Sequence, residues 1–299
     1  MIDFRNFRSL EEALADAPHH KQSLLELASL SQSEIQKISE SAVAEDWYGD
    51  MPLIKPAVRE IWKTPDAASF IAHSIWCAHR EARWLLKTGN YAGADLAYHF
   101  DQPEYFIKTG GKPTIIIAPM TLGTHDAFHL MLTALSSFQS GRRVVFYGEN
   151  MDHYLALYPE HKPLFADDSI AGIKQIIETL RSGGLFLTYP DFVYQKHAVI
   201  QGQLFGLPRS FSSSFLKIVL KSSAELLPVT CLRSGDGLQM RFYPPIAADK
   251  NDEYVVLPEF NRLQLQCLLV GKILERLIVQ VPNQWRLLPT LTHTSEEMA

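Results

Sequence analysis

Short apolar runs separated by stretches of helical spacing constrain this chain more than any other feature. Thr114-Ile-Ile-Ile-Ala118, Arg143-Val-Val-Phe-Tyr147, Leu185-Phe-Leu-Thr-Tyr189 and Leu226 to Leu232 have the length of strands and little polar alternation. Such runs fit strands buried on both faces, as in a parallel sheet. Between them, His125 to Phe138, Ile170 to Arg181 and Ser212 to Ser222 read as helices. The second of these carries Ile173, Ile176, Ile177 and Leu180 at helical spacing and is stopped by Gly183-Gly184. Leu238, Met240 and Phe242 alternate with Gln239, Arg241 and Tyr243, the pattern of a half-exposed strand. Leu265, Leu268, Leu269, Ile273, Leu277 and Val281 fall on one face of a final helix. Strands alternating with helices predict an α/β fold, a mostly parallel mixed sheet flanked by helices.

The pattern begins at Gly110-Gly111-Lys112-Pro113; what precedes it is helical in character. Ser9-x-x-Glu12 and Ser31-x-x-Glu34 have capping-box spacing. Thr64-Pro65-Asp66 supplies a cap hydroxyl, a proline for the first helical position and an acid near the positive dipole end. The helix that follows is expected to run to Leu86, with Gly89 just beyond it. It carries Phe70, Ile71, Trp76, Trp84 and Leu85, the composition of a core helix. A chain of 299 residues has room for about two units. The expected division is a helical region over 1–100 and an α/β domain over 101–299.

With 28 basic and 33 acidic side chains the net charge is −5, which argues against a nucleic-acid backbone as partner. Cys77, Cys231 and Cys267 are too far apart for a zinc knuckle or a disulfide framework, so a reducing compartment is the simplest reading. The most apolar late stretch, Cys267 to Val281, is broken by Lys272, Glu275 and Arg276. A bilayer span needs about 20 mostly apolar residues. The expectation is a soluble, cytoplasmic protein with no integral membrane association.

Three segments hold residues suited to chemistry. In Ala118-Pro-Met-Thr-Leu-Gly-Thr-His-Asp-Ala-Phe-His129 a strand ends, a loop turns at Gly123, and His125 opens a helix. Ligands of open α/β sheets sit beyond the carboxyl ends of strands, and an imidazole there suits a general base. A capping or packing histidine is the alternative. His125 and His129 also share a helix face, one methylene from the His-Glu-x-x-His zinc pattern, with Glu149, Asp152 or His153 as a third ligand. In Tyr189-Pro190-Asp191-Phe192 the carboxylate follows a strand and either orients a histidine or caps a turn. In Leu204 to Ser214, Ser212, Ser213 and Ser214 open a helix whose amide groups could hold a phosphate or an oxyanion. Arg209, Lys217 and Lys221 add positive charge, or simply lie on a solvated face. No dinucleotide fingerprint, P-loop or Gly-x-Ser-x-Gly elbow is present, so no cofactor is implied, and Cys231, in an apolar strand, reads as packing.

Taken in order, these segments resemble the lysophospholipid acyltransferase superfamily, and within it the late (lauroyl/myristoyl) acyltransferases of lipid A synthesis, over roughly Phe100 to Gln284. Gly123-Thr124-His125 lies where that family opens its His-x4-Asp/Glu motif, and Tyr189-Pro190-Asp191 looks like its Pro-Asp-Gln block. Leu204-Phe205-Gly206-Leu207-Pro208 is similar to its Phe-Phe-Gly-x-Pro segment, and Pro282-Asn283-Gln284-Trp285 to its Pro-Glu-Gln-Tyr. The departures are as informative. Leu130 stands where the family has its acid, and Gly148 roughly where it has an arginine. Pro289-Thr290 stand near the place of its terminal His-Arg-Arg.

The resemblance implies acyl transfer from a thioester, on an acyl carrier protein or coenzyme A, to an amine or hydroxyl of a small acceptor. His125 would be the base, with Asp126, Asp191 or Glu149 replacing the missing acid. Thr124, Glu149, Arg209 and Ser212 to Ser214 would contact substrate. The competing expectations are an acyl- or carrier-protein-binding module without activity, and a metal-dependent hydrolase built on His125 and His129. Without an acid beside the histidine, an amine acceptor is the more attractive, because a neutral amine is already nucleophilic.

Overall fold

A computed structural model describes residues 21–47, 66–86, 97–147, 162–167, 169–192, 198–235, 237–247 and 258–287. The first described elements are helices α1 (Lys21–Ser29), α2 (Gln32–Ala44) and α3 (Ala67–Leu86). The α2 cap is the expected reciprocal box: the Ser31 side chain accepts from Glu34 N–H, and Glu34 accepts from Ser31 N–H at 2.8 Å. At the start of α3, Asp66 takes the capping role expected of Thr64, accepting from Ser69 N–H at 3.1 Å. Thr64, Pro65, Gly89 and the Ser9 box lie outside the described residues.

The remainder alternates as the apolar runs require. In order come β1 (Tyr98–Asp101), α4 (Pro103–Ile107), β2 (Thr114–Ile117), α5 (Thr124–Phe138), β3 (Val144–Tyr147), β4 (Leu164–Ala166) and α6 (Ile170–Arg181). Then come β5 (Leu185–Thr188), β6 (Val199–Leu204), β7 (Leu207–Ser212), α7 (Ser213–Ser222), β8 (Glu225–Ser234), β9 (Gly237–Phe242) and α8 (Glu259–Ile278). A 3-10 turn, Pro282–Gln284, follows.

Among the described residues seven strands form one sheet in the order β1-β9-β8-β2-β5-β3-β4, parallel except for the β8–β9 pair. The fold is therefore α/β with a mostly parallel mixed sheet. Strand β2 lies in the middle, and Ile115, Ile116 and Ile117 have no exposed surface. It pairs in parallel with β5, Ile117 opposite Thr188. That register sets the loop after β2 beside the loop after β5, so two segments 71 residues apart, joined through Met120 and Asp191 at 2.9 Å, meet at one edge.

Two sequence expectations change. Leu204 to Ser214 is not only a lead into a helix: β6 and β7 form an antiparallel hairpin, and Ser212 is the cap of α7. Phe205 and Gly206 both have positive φ, 55° and 79°, the requirement of a two-residue hairpin turn whose twist matches its strands. The final helix also buries only part of the expected face. Ile273 and Leu277 are buried as expected, but Leu265 and Leu268 are exposed, and Leu263, Cys267, Val270 and Leu274 are buried instead. The hairpin decides this, because it lies against α8 so closely that a Cβ on Gly202 would sit 2.3 Å from Cys267 Sγ. Gly202→Ala should therefore lower stability by about 1–3 kcal/mol through overpacking, read as a fall in melting temperature.

Candidate active site

Helix α3 reaches the loop after β2 through two side-chain stripes, each at spacing i, i+4, i+8. His73, Cys77 and Glu81 form one stripe, and Trp76, Arg80 and Trp84 the other. Along the first, His73 Nε2–H donates to the Thr121 carbonyl at 2.6 Å, and Glu81 Oε1 pairs with His125 Nδ1. Along the second, Arg80 donates to both oxygens of Asp126, at 3.1 and 2.9 Å, and Trp84 Nε1–H donates to Asp126 Oδ1 at 2.8 Å. Arg80 and Asp126 are 2% and 1% exposed, so this is a fully buried ion pair. It fixes the first turn of α5 against α3.

His125 is 5% exposed, and its ring lies over Trp84 with centroids 5.5 Å apart and planes 17° apart. Its carboxylate neighbour is Glu81, on a helix 44 residues earlier, a role the sequence reading gave to Asp126, Asp191 or Glu149. Asp126 serves Arg80 and Trp84. Asp191 is fully buried and ties two chain segments together, its Oδ2 accepting from Met120 N–H at 2.9 Å and Trp285 Nε1–H at 2.7 Å. Burial pushes its carboxyl above the ordinary value, against these hydrogen bonds and the Arg209 charge. Glu149, Asp152 and His153 lie outside the described residues. The place where a cis acid would stand, Leu130, has no exposed surface and belongs to the core.

The remaining candidates divide. Arg209 is buried and donates Nη2–H to the Asp191 carbonyl at 2.6 Å, so it braces that loop and is not part of a surface patch with the exposed Lys217 and Lys221. Ser212 Oγ accepts from Phe215 N–H at 3.3 Å, Ser213 N–H donates to the Ala198 carbonyl at 2.9 Å, and Ser214 is half-buried. His129 stands between Trp84 and Tyr98, centroids 5.8 and 5.6 Å away. Among the described residues no group of three or more His, Cys, Asp or Glu could hold a metal ion. Burial pushes the Cys77 and Cys231 thiols up to about 12, which removes them as nucleophiles at neutral pH.

Against the first two turns of α5, at Thr124 and Phe128, lies a cavity of about 290 Å³. Phe128, Phe146, Phe186, Phe215 and Ile218 give it apolar walls, and Thr124, Thr188, Ser212 and Tyr189 supply hydroxyls. Thr124, which lines the cavity, precedes His125 in the first turn of α5; His125 itself is not among the lining residues, and its ring packs on the α3 side, against Trp84. A broader groove of about 610 Å³ between β6 and α8 is lined by glutamines and leucines and bears no histidine or carboxylate. Among the described residues no helix is long and apolar enough to cross a membrane.

The C-terminal block closes the site from below. Gln284 Oε1 accepts from Arg233 N–H at 2.9 Å, and Arg286 N–H donates to the Met120 carbonyl at 3.0 Å. Residues 164–291 match the family model for bacterial lipid A biosynthesis acyltransferases. Over these residues the chain is lipid A acyltransferase-like. The family is one of acyl-transferring enzymes, and a search of curated proteins finds no match. The acyltransferase-like segment contains Asp191, Arg209, the serine cluster and one wall of the cavity. It begins after His125, and it does not include α3.

The sequence reading missed Glu81, Trp84 and Arg80. The available signal was the charged pair Arg80-Glu81 inside a helix rich in apolar residues, in line at i, i+4 spacing with the buried Trp76 and Cys77.

His73 gives this loop a pH dependence. Burial, helped by the Arg286 and Arg233 charges, pushes its imidazole down to about 4 from 6.5, and the Thr121 bond opposes the shift. As pH falls through about 6.5 the unfolded chain takes a proton that the folded ring refuses until about 4, so stability falls across that window, by roughly 3 kcal/mol when complete. Burial shifts His129 in the same direction, whereas the raised carboxyl of Asp191 contributes with the opposite sign. The melting temperature should drop between pH 7 and pH 4.5, and His73→Gln should reduce that drop.

Proposed function

We propose that this protein transfers an acyl group from a thioester to an amine or hydroxyl of a small acceptor, with His125 as the general base. The observation that carries the reading is an apolar cavity lined by Thr124, the chain neighbour of a buried imidazole at a helix start, on a scaffold whose residues 164–291 are lipid A acyltransferase-like. The acyl chain would lie among Phe128, Phe146, Phe186 and Ile218, with its carbonyl near Thr124. His125 would take the proton from the acceptor as that atom attacks the carbonyl. The tetrahedral oxyanion would face backbone N–H groups of the first turn of α5, which lie outside the intrahelical ladder. Collapse breaks the carbon–sulfur bond, and the same imidazole returns the proton to the departing thiolate. Of the serine cluster, Ser212 lines the cavity and would touch the acyl or pantetheine portion.

The donor is a thioester of an acyl carrier protein or of coenzyme A. The preference for an amine acceptor rested on an imidazole without an acid beside it. With Glu81 in that place, hydroxyl acceptors stand on an equal footing.

His125→Ala should lower turnover by about 10²- to 10⁴-fold while acyl-donor binding changes little, measured as free thiol released from acyl thioesters. Unchanged turnover would refute His125 as the base, and a pure protein that binds acyl thioesters without ever releasing thiol would be an acyl-binding module. Ile218→Trp should fill the cavity and move the preferred acyl chain to shorter lengths across a thioester series; an unmoved preference would place the chain elsewhere.

A further inference from the structure

We infer that Glu81 is the positioning residue for His125: a carboxylate carried in by helix α3 that holds the imidazole by Nδ1 and leaves Nε2 to exchange the proton. The inference rests on the acyl-transfer reading for the reaction, but its geometric content stands by itself. Glu81 Oε1 pairs with His125 Nδ1. The Trp84 ring, one turn along the same helix, lies nearly parallel to the imidazole and fixes its plane. The other two carboxylates near the loop are committed to Arg80 and Trp84, and to Met120 and Trp285.

Two features show that this approach is built into the chain. Glu81 belongs to the stripe that continues from His73 and Cys77, so the helix that pins Thr121 also delivers the carboxylate. Gly123 leaves it room. A Cβ there would stand 2.7 Å from Glu81 Oε2, an atom that is buried and has no hydrogen-bond partner among the described residues. The φ of Gly123 is −64°, which any residue can adopt, so the absence of a side chain serves space and not backbone conformation.

A base whose second nitrogen is held by a carboxylate keeps one tautomer and one orientation. The carboxylate also stabilises the imidazolium formed in the transition state without taking the proton itself. In this site Glu81 would accept from Nδ1–H throughout, while the acceptor's proton moves to Nε2 and then to the leaving thiolate.

The test combines kinetics with a spectroscopic readout on the full chain. With a medium-chain acyl-coenzyme A and a panel of primary amines and alcohols, Glu81→Ala should lower kcat by about 10²- to 10⁴-fold and leave KM within about threefold. Glu81→Gln, whose amide oxygen can still accept from Nδ1–H, should lose less. The double variant His125→Ala/Glu81→Ala should be no slower than His125→Ala, because groups that act as a unit are not additive. Gly123→Ala should also lower kcat, with no further loss when added to Glu81→Ala. Side-chain ¹⁵N spectra, with His125 assigned from His125→Ala, should show the Nδ1–H tautomer in the wild type and a mixture in Glu81→Ala.

Turnover within about threefold of wild type in Glu81→Ala, alongside its collapse in His125→Ala, would overturn the positioning role and leave the base in place. So would losses that simply multiply in the double variant, which mark a structural residue. Full activity in both single variants would sink the base and the positioning role together. If none of the thioesters reacts, the spectra decide: an unchanged tautomer in Glu81→Ala refutes the inference.

Discussion

The buried pair of Arg80 and Asp126 is the interaction on which the arrangement around His125 depends. Both ions are almost fully withdrawn from water, and Trp84 adds a third hydrogen bond to the same carboxylate. Desolvating two charges costs several kcal/mol per ion, so such a pair contributes little net stability compared with an apolar replacement. What it does contribute here is register. It ties one turn of α3 to the first turn of α5, and with that turn set, Glu81 and Trp84 reach the imidazole of the neighbouring residue. A shift of α3 by one residue would leave both ions buried without partners, a large penalty against alternative packings.

The loop after β2 is held from the other side by the C-terminal block. Asp191 accepts from Met120 and Trp285, Arg209 braces the Asp191 carbonyl, and Arg286 donates to the Met120 carbonyl. These residues stand in blocks that resemble family motifs, yet their visible work is to position the loop. The loop before His125 is therefore held between two separate clamps, α3 and the turn over 282–286. The cavity at the first turn of α5 is walled by α5, β3, β5 and α7. Its side-chain polar groups are hydroxyls, which can hydrogen-bond an uncharged ligand without adding a charge that would have to be desolvated with it.

Much of the fold was legible because its signals are local. Four apolar runs are strands, and Ile170–Arg181 falls where its periodicity and the Gly183-Gly184 stop place it. Misreadings arose where a neighbour overrides local pattern. The inward face of α8 depends on which side the β6–β7 hairpin covers, and Leu265 and Leu268 are as apolar as the residues that are buried. The hairpin turn at Phe205-Gly206 was hidden because phenylalanine is a rare occupant of positive φ. For the site, His125 was readable from its place between a strand and a helix. The three hydroxyls at Ser212 to Ser214 look alike in sequence, but only Ser212 lines the cavity.

By itself the sequence determined the α/β class, the central apolar strands and the histidine at the start of α5, because periodicity, chain punctuation and strand-end position are properties of contiguous residues. Tertiary structure alone decided which carboxylate meets that histidine. Asp126 is its neighbour in the chain, but helical geometry and the Arg80 charge turn that side chain toward α3. Glu81 is 44 residues away and arrives because helix packing, and not sequence distance, sets which atoms can touch.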